Sequence, residues 1–177
     1  MTGELIFVVG GAGSGKSKFA LELAKKRSKK AAFVATSASE DGEMARKIES
    51  HQKERPAHWL TIEAAGTPFH IERPKEKIPC LLVDCLTLWV SAMLMKNCGR
   101  EEILDRCKKF LAEARQNFKH VIVVSDEVGL GIVPENRLAR DFREALGAVN
   151  QLAAQMAGQV FQVTVGLPVR IKGKSRA

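Results

Sequence analysis

A glycine-rich segment between an apolar run and a helix-like stretch constrains this chain more than any other feature. Residues 10–17 read GGAGSGKS and fit the pattern G-x-x-x-x-G-K-[ST]. The run LIFVV at 5–9 predicts a buried strand before the segment, and FALELA at 19–24 predicts the start of a helix after it. This strand–loop–helix order is the context in which the pattern forms a phosphate-binding P-loop. We therefore expect the chain to bind a nucleotide.

The residue types of the loop match the chemistry of a triphosphate. Glycines let the backbone turn tightly so that successive N–H groups face phosphate oxygens, and the following helix adds its N-terminal partial charge. Lys16 can reach the β- and γ-phosphates, and the Ser17 hydroxyl can ligate Mg²⁺. The alternative is a glycine-rich turn that binds nothing. The predicted nucleotide-binding residues of the loop are Gly10, Gly11, Ala12, Gly13, Ser14, Gly15, Lys16 and Ser17.

Runs that predict strands alternate along the chain with stretches that predict helices. Strands are expected over 31–35, 58–63, 79–84, 120–125 and 159–164, and helices over 41–53, 86–96, 101–118 and 135–157. Such alternation requires crossover connections and therefore a mostly parallel sheet covered on both faces. We predict one α/β domain over 1–177, a three-layer P-loop NTPase fold of the RecA-like type. The apolar face of the last helix is expected to begin at Leu138.

Carboxylates end two of the apolar strands, and ligands bind at the carboxyl ends of strands in such sheets. Asp84 stands where a Walker B carboxylate holds Mg²⁺, directly or through water. Asp126 and Glu127 end another strand and compete for that role, and any of them could instead cap the following helix. We predict Ser17 and Asp84 as metal ligands. The apolar, glycine-rich segment 125–137 then leads into the long helix, which Glu135 or Asn136 could cap.

A histidine near the middle of the chain is a candidate nucleophile. Met44, Ile48 and His51 share one face of a predicted helix, which points His51 inward. Arg55 follows one turn later, before Pro56 ends the helix. A neutral imidazole can attack phosphorus, and a nearby guanidinium can hold phosphates. Spacing alone favours a structural histidine, so the catalytic role needs further support.

Charge and cysteine usage narrow the class of protein. The net charge of +8 fits either a nucleic-acid or membrane surface or an enzyme with polyanionic substrates. Because no basic patch interleaved with aromatic residues occurs, we expect nucleotide substrates and no nucleic-acid partner. No apolar run is long enough to span a bilayer. A cytoplasmic protein with buried, reduced thiols is expected from the spacing of Cys80, Cys85, Cys98 and Cys107.

Several segments together closely resemble one family, the bifunctional adenosylcobinamide kinase / adenosylcobinamide-phosphate guanylyltransferases of cobalamin biosynthesis. The matching segments are GGAGSGKS at 10–17, VATS at 34–37, DGEMARKIESHQKERPAHWLTIE at 41–63, LLVDCLT at 81–87 and SDEVGLGIVPENRLARDFRE at 125–144. The pattern H-x-x-x-R-P-x-x-W followed by E-V-G-x-G-I-V-P is far more specific than the P-loop. The resemblance covers almost the whole chain.

The resemblance implies two reactions. ATP or GTP phosphorylates adenosylcobinamide, and GTP then transfers GMP to that phosphate through a GMP–histidine adduct, giving adenosylcobinamide-GDP and pyrophosphate. It implies His51 as the nucleophile, because the position before it holds Ser50 and not a second histidine. It also implies Lys16 as the second catalytic residue and Mg²⁺ as cofactor. It also implies a homotrimer. The nucleotide-binding set extends by the same matching to Ala35, Thr36, Ser37, Gln52, Lys53, Glu54, Arg55, Glu63 and Asp84.

Two other functions stay open from the residues alone. One is a P-loop small-molecule kinase without the guanylyltransferase step, which would form no covalent adduct. The other is a basic nucleotide-binding module that acts on nucleic acid, whose binding would fall steeply with salt.

Overall fold

The computed structural model describes residues 2–36, 55–64 and 77–173. The elements within these residues are, in chain order, β1 (Glu4–Gly10), α1 (Lys16–Arg27), β2 (Ala31–Ala35), β3 (Leu60–Glu63), β4 (Cys80–Asp84), α2 (Leu86–Met95), α3 (Arg100–Asn117), β5 (His120–Asp126), α4 (Arg137–Met156), β6 (Gln159–Thr164) and β7 (Leu167–Lys172). The predicted helix over 41–53, with His51, lies outside the described residues.

The strands form one seven-stranded sheet in the order β3-β2-β4-β5-β1-β6-β7. Every pair is parallel except β6 with β7, which is antiparallel. The P-loop strand β1 therefore lies between β5 and β6, and β4 is one strand further away. This mostly parallel sheet, with helices on both faces, confirms the predicted three-layer α/β fold.

Two apolar cores fill the space between the sheet and the helices. The helices α2, α3 and α4 cover one face, where Trp89, Phe110 and Leu146 are buried. Helix α1 covers the other face, where Leu21 packs on the sheet. Residues 121–124 of the central strand β5 are buried whichever face they point to, which explains why its sequence is continuously apolar rather than alternating.

The last strand, β7, was not predicted from the sequence, where β6 was expected to close the sheet. Gly166 turns the chain back with φ +82°, and residues 167–172 pair antiparallel with β6. All six residues of β7 are exposed. Leu167, Val169 and Ile171 alternate along β7 with the period of a strand, a sequence signal that the prediction did not use.

Two further expectations about burial were wrong. Leu138 is 51% exposed because it lies in the first turn of α4, before the helix reaches the core. Cys98 is half-buried in the connection after α2, whereas the other three cysteines are buried, and all four are free thiols. The predicted cap of α4 is confirmed, because Asn136 Oδ1 accepts hydrogen bonds from the N–H groups of Leu138 (2.8 Å) and Ala139 (3.4 Å).

Candidate nucleotide site

The P-loop curls between β1 and α1 in the way its glycines allow. Gly13 and Gly15 adopt left-handed backbone conformations, with φ +70° and +89°. The Ser14 N–H donates to the Gly11 carbonyl at 3.1 Å and closes the turn. Helix α1 begins directly afterwards, at Lys16. The loop therefore presents its backbone at the N-terminus of a helix, where anions bind.

The P-loop also packs against β6 and the turn that follows it. The Gly166 N–H donates to the Ser14 carbonyl at 2.9 Å, which ties the P-loop to the turn between β6 and β7. A Cβ at Gly10 would overlap the Val163 carbonyl oxygen and lie 2.6 Å from Ser14 Oγ. Only glycine fits at the first position of the motif, because backbone from β6 occupies the space that a side chain would need.

Lys16 is paired with a carboxylate at the edge of the sheet. Its Nζ lies 2.5 Å from Asp126 Oδ1 and donates to the Gly11 carbonyl at 3.2 Å. The two side chains are 11% and 20% exposed. Gly10 and Asp126 are register partners at the ends of β1 and β5, so the sheet itself places this carboxylate beside the P-loop.

Ser17 contacts the other strand-end carboxylate. Its hydroxyl donates to Asp84 Oδ1 at 3.3 Å. A hydroxyl and a carboxylate are hard oxygen ligands of the kind that Mg²⁺ binds beside nucleotide phosphates. No cluster of three or more metal-binding side chains occurs in the described part of the chain. The pair nevertheless fits Mg²⁺, because phosphates and water supply most ligands in such sites.

The ends of β2 and β3 lie at the same edge. Ala35 is the register partner of both Asp84 and Glu63. Thr36 is only 2% exposed, and its hydroxyl donates to the Cys85 carbonyl and accepts from the Cys85 N–H, both at 2.8 Å. Thr36 thus joins the segments that follow β2 and β4. Contacts of Ala35, Thr36 and Glu63 with a nucleotide stay predictions.

Arg55 reaches this region from the segment before β3. Its guanidinium stacks 3.8 Å from the centroid of the Phe33 ring. Burial lowers the pKa of Arg55, and the negative charge of Asp84 opposes that shift. The group stays positively charged, since an arginine is not deprotonated in proteins. The following residues are anchored, because His58 Nε2 and Trp59 Nε1 lie 2.8 Å and 3.2 Å from the Lys29 carbonyl oxygen.

Five predicted site residues are not described by the structure. They are Ser37, His51, Gln52, Lys53 and Glu54.

Sequence reasoning missed the residues that hold Asp126. Its N–H donates to Thr87 Oγ1 at 2.8 Å, and Asn150 Nδ2 donates to its carbonyl at 2.9 Å. The Glu127 N–H donates to the Gly10 carbonyl at 3.0 Å. The one sequence signal was Asn150, a polar residue within the apolar face of α4. Helices α2 and α4 therefore both fix the end of β5.

The segment after β5 is pinned to α4. Glu127 Oε1 accepts from the Gly129 N–H at 2.6 Å, so this carboxylate closes a turn. The Arg143 guanidinium donates to the carbonyls of Gly129 at 2.5 Å and Ile132 at 3.1 Å. Within this anchored segment Leu130 and Ile132 are 84% and 96% exposed. The loop thus presents apolar side chains to solvent on a fixed backbone.

A P-loop that opens the first helix of a parallel sheet, beside two strand-end carboxylates, defines a P-loop nucleotide-binding protein. The chain belongs to the cobinamide kinase / cobinamide phosphate guanyltransferase family, whose model matches residues 6–171. It is therefore a kinase and nucleotidyltransferase of cobalamin biosynthesis, as its motifs imply. No helix in the described ranges is long and apolar enough to cross a membrane.

Individual relatives match over nearly their full length. The chain is 37% identical over 169 residues to the bifunctional adenosylcobalamin biosynthesis protein CobP of Pseudomonas aeruginosa, covering 94% of this chain and 96% of the relative. It is 36% identical over 184 residues to the CobU protein of Escherichia coli, covering 95% and 99%. Among solved structures, a KaiC-like protein from Pyrococcus horikoshii has a TM-score of 0.49 at 15% identity, covering 91% of this chain and 71% of that chain.

Proposed function

We propose that this chain phosphorylates the hydroxyl of adenosylcobinamide with ATP or GTP and then transfers GMP from GTP to that phosphate, releasing pyrophosphate. Membership of the cobinamide kinase / cobinamide phosphate guanyltransferase family supports both reactions. The structural observation that carries the proposal is the P-loop with Lys16 and Ser17 at the carboxyl edge of the sheet, beside Asp126 and Asp84. Such a site binds a triphosphate rather than a neutral ligand.

The nucleotide contacts follow from this arrangement. Backbone N–H groups of the P-loop bind the phosphates, Lys16 neutralises the β- and γ-phosphates, and Ser17 and Asp84 hold Mg²⁺. A bound Mg²⁺ offsets charge on the phosphates. Glu63, whose backbone lies at the end of β3, accepts hydrogen bonds from the guanine N1–H and N2–H₂ groups. Further nucleotide contacts are proposed for Ala35, Thr36, Ser37, Gln52, Lys53, Glu54 and Arg55.

His51 is the proposed nucleophile of guanylyl transfer. Its nitrogen attacks the α-phosphorus of GTP, so that an N–P bond forms and the bond to pyrophosphate breaks. An oxygen of the corrinoid phosphate then displaces the histidine. The position of Arg55 supports this role. Arg55 lies at the edge of the site, where the negative charge of Asp84 raises its pKa against the effect of burial. His51 precedes Arg55 by four residues, which span at most about 14 Å.

The exposed loop beside the site is proposed to contact the corrinoid. Its apolar side chains Leu130, Ile132 and Val133 are 84%, 96% and 64% exposed, and the loop leaves the strand that ends at Asp126.

We also propose a homo-oligomer, a trimer by family resemblance. The exposed apolar side chains of β7, such as Leu167 and Val169, support an interface between copies. A cytoplasmic location and the absence of a nucleic-acid partner stay predictions.

Labelled GTP tests the proposal. The protein is incubated with Mg²⁺ and GTP labelled at the α-phosphate, denatured, and assayed for bound label. We expect an acid-labile, alkali-stable adduct in the wild type and in the control His58→Ala, and none in His51→Ala. Label that persists in His51→Ala would place the nucleophile elsewhere. A wild type that binds GTP without label would be a kinase alone, and steeply salt-dependent RNA binding without corrinoid turnover would favour the nucleic-acid alternative.

A further inference from the structure

The two strand-end carboxylates of the site have different partners. Asp84 Oδ1 accepts from the Ser17 hydroxyl, which belongs to the proposed metal pair. Asp126 Oδ1 lies on the ammonium group of Lys16, 2.5 Å away. When a nucleotide with its Mg²⁺ engages Ser17 and Asp84, the second carboxylate is left beside the position of the γ-phosphate that Lys16 reaches. The two groups therefore do not duplicate each other.

The backbone of Asp126 is fixed more firmly than its place at the end of a strand requires. Thr87 from α2 and Asn150 from α4 bond its N–H and its carbonyl at 2.8 Å and 2.9 Å. Asn150 is only 9% exposed. Bonds from two helices fix the backbone from which the carboxylate projects, and the ion pair with Lys16 orients the carboxylate itself beside the P-loop.

We propose that Asp126 is the catalytic base of the kinase reaction, an inference that rests on the kinase activity proposed above. Phosphate groups carry more negative charge than one carboxylate, so a bound nucleotide draws Lys16 from Asp126 to the phosphates. The freed carboxylate then faces the acceptor hydroxyl. In the nucleotide-free protein the ion pair with Lys16 holds Asp126 in its position.

The step balances without any further reactant. The hydroxyl oxygen of the acceptor attacks the γ-phosphorus, and a new O–P bond forms. The bond from the γ-phosphorus to the bridging oxygen breaks, and its electron pair leaves with the nucleoside diphosphate. The hydroxyl proton passes to Asp126, whose side chain is 20% exposed and can release it to water.

The second reaction of the enzyme has no such proton. Its acceptor is the corrinoid phosphate, whose attacking oxygen is already ionised near neutral pH. A base at Asp126 is therefore needed for phosphorylation and not for guanylyl transfer. The two activities of one protein thus provide an internal comparison.

The variant Asp126→Asn distinguishes a catalytic base of the kinase reaction from a residue that only supports the P-loop. With adenosylcobinamide as acceptor, kcat of phosphorylation is expected to fall at least about 100-fold, while GMP transfer to purified adenosylcobinamide-phosphate falls less than about tenfold. Nucleotide Kd is expected to stay the same or become up to about fivefold lower, because the ion pair no longer competes for Lys16. The control Asp105→Asn, which removes the exposed pair with Lys109 on α3, keeps both wild-type activities.

Three results would overturn the inference: equal losses in both reactions, phosphorylation within about tenfold of wild type, or weakened nucleotide binding, which would make Asp126 a support of the P-loop. A wild type without kinase activity would overturn the proposed function as well. Because the wild type is assayed first, the two failures are distinguishable.

Discussion

The Ser17 hydroxyl donates to Asp84 Oδ1 across 3.3 Å and so joins the first turn of α1 to the end of β4. Both oxygens can turn to one Mg²⁺ when a nucleotide supplies phosphates. Asp84→Asn should lower both phosphorylation and GMP transfer by at least about 100-fold at low Mg²⁺, and part of the activity should return as Mg²⁺ is raised. Rates of both reactions against Mg²⁺ concentration measure this.

Glu127→Gln is the matched control for the metal prediction. Its carboxylate accepts from the Gly129 N–H at 2.6 Å and is therefore already engaged in a turn. The Mg²⁺ dependence of this variant should match the wild type. If Glu127→Gln, and not Asp84→Asn, raised the Mg²⁺ requirement, the assignment of the metal pair would be wrong.

Neighbouring glycines of the P-loop should respond differently to a methyl group. In Gly10→Ala the new Cβ overlaps the Val163 carbonyl oxygen, whereas at Gly11 no atom lies within 4 Å of a Cβ. Gly10→Ala should lower the free energy of unfolding by about 1–3 kcal/mol and weaken nucleotide binding. Gly11→Ala should leave the free energy of unfolding within about 0.5 kcal/mol. Urea unfolding compares the two variants, and equal losses would contradict the packing described for β6.

Buried thiols should make stability fall in alkaline solution. Burial raises the pKa of Cys107 to about 12 from an ordinary value of 9.0, and raises the pKa of Cys80 to about 12 and of Cys85 to about 11. Below pH 9 the thiols are protonated in both states and this stabilisation is fully present. Above pH 9 the unfolded chain loses protons that the folded one keeps, so the free energy of unfolding falls as pH rises toward 11–12.

Cys107→Ala isolates one of these thiols. Between pH 9 and 10 its free energy of unfolding should fall by about 1 kcal/mol less than that of the wild type, as measured by urea unfolding. Leu111→Ala, a truncation in the same helix without a thiol, should lower stability by about 2–5 kcal/mol and keep the wild-type pH dependence. An unchanged pH dependence in Cys107→Ala would show that this thiol does not contribute.

The local sequence pattern predicted where the strands end along the chain but not which strands lie next to each other in the sheet. The P-loop, Asp84 and Asp126 each follow an apolar run that the structure confirms as a strand. Which carboxylate meets Lys16 depends on strand order, because β5 rather than β4 lies beside β1. Strand order is set by long-range packing, which a local hydrophobic period does not contain.

Polar anchors and exposed strands are the other limits of sequence reasoning. Thr87 and Asn150 bind the backbone of Asp126, and only the fold brings α2 and α4 to that point. Strand β7 exposes all six of its residues and contains Pro168, which weakens the strand signal given by the alternating Leu167, Val169 and Ile171. The catalytic role of His51 was predicted from the specific motif around it. Helical spacing in that segment alone would not have predicted that role.

The loop after β5 provides the last prediction, which concerns the corrinoid. Ile132 is 96% exposed, and the Arg143 guanidinium fixes its backbone through a 3.1 Å hydrogen bond to the carbonyl. Ile132→Ser should therefore leave the free energy of unfolding and the KM for GTP unchanged. If the corrinoid covers this side chain, the KM for adenosylcobinamide should rise about tenfold, since burying an aliphatic side chain is worth about 1.5 kcal/mol.

Met95→Ser is the matched control, because Met95 is 71% exposed but ends α2, away from the carboxyl edge of the sheet. Steady-state kinetics with both acceptors measures the effect, and gel filtration distinguishes the alternative. A variant that dissociates into monomers, with its corrinoid KM unchanged at saturating protein, would show that the loop contacts a second copy of the chain.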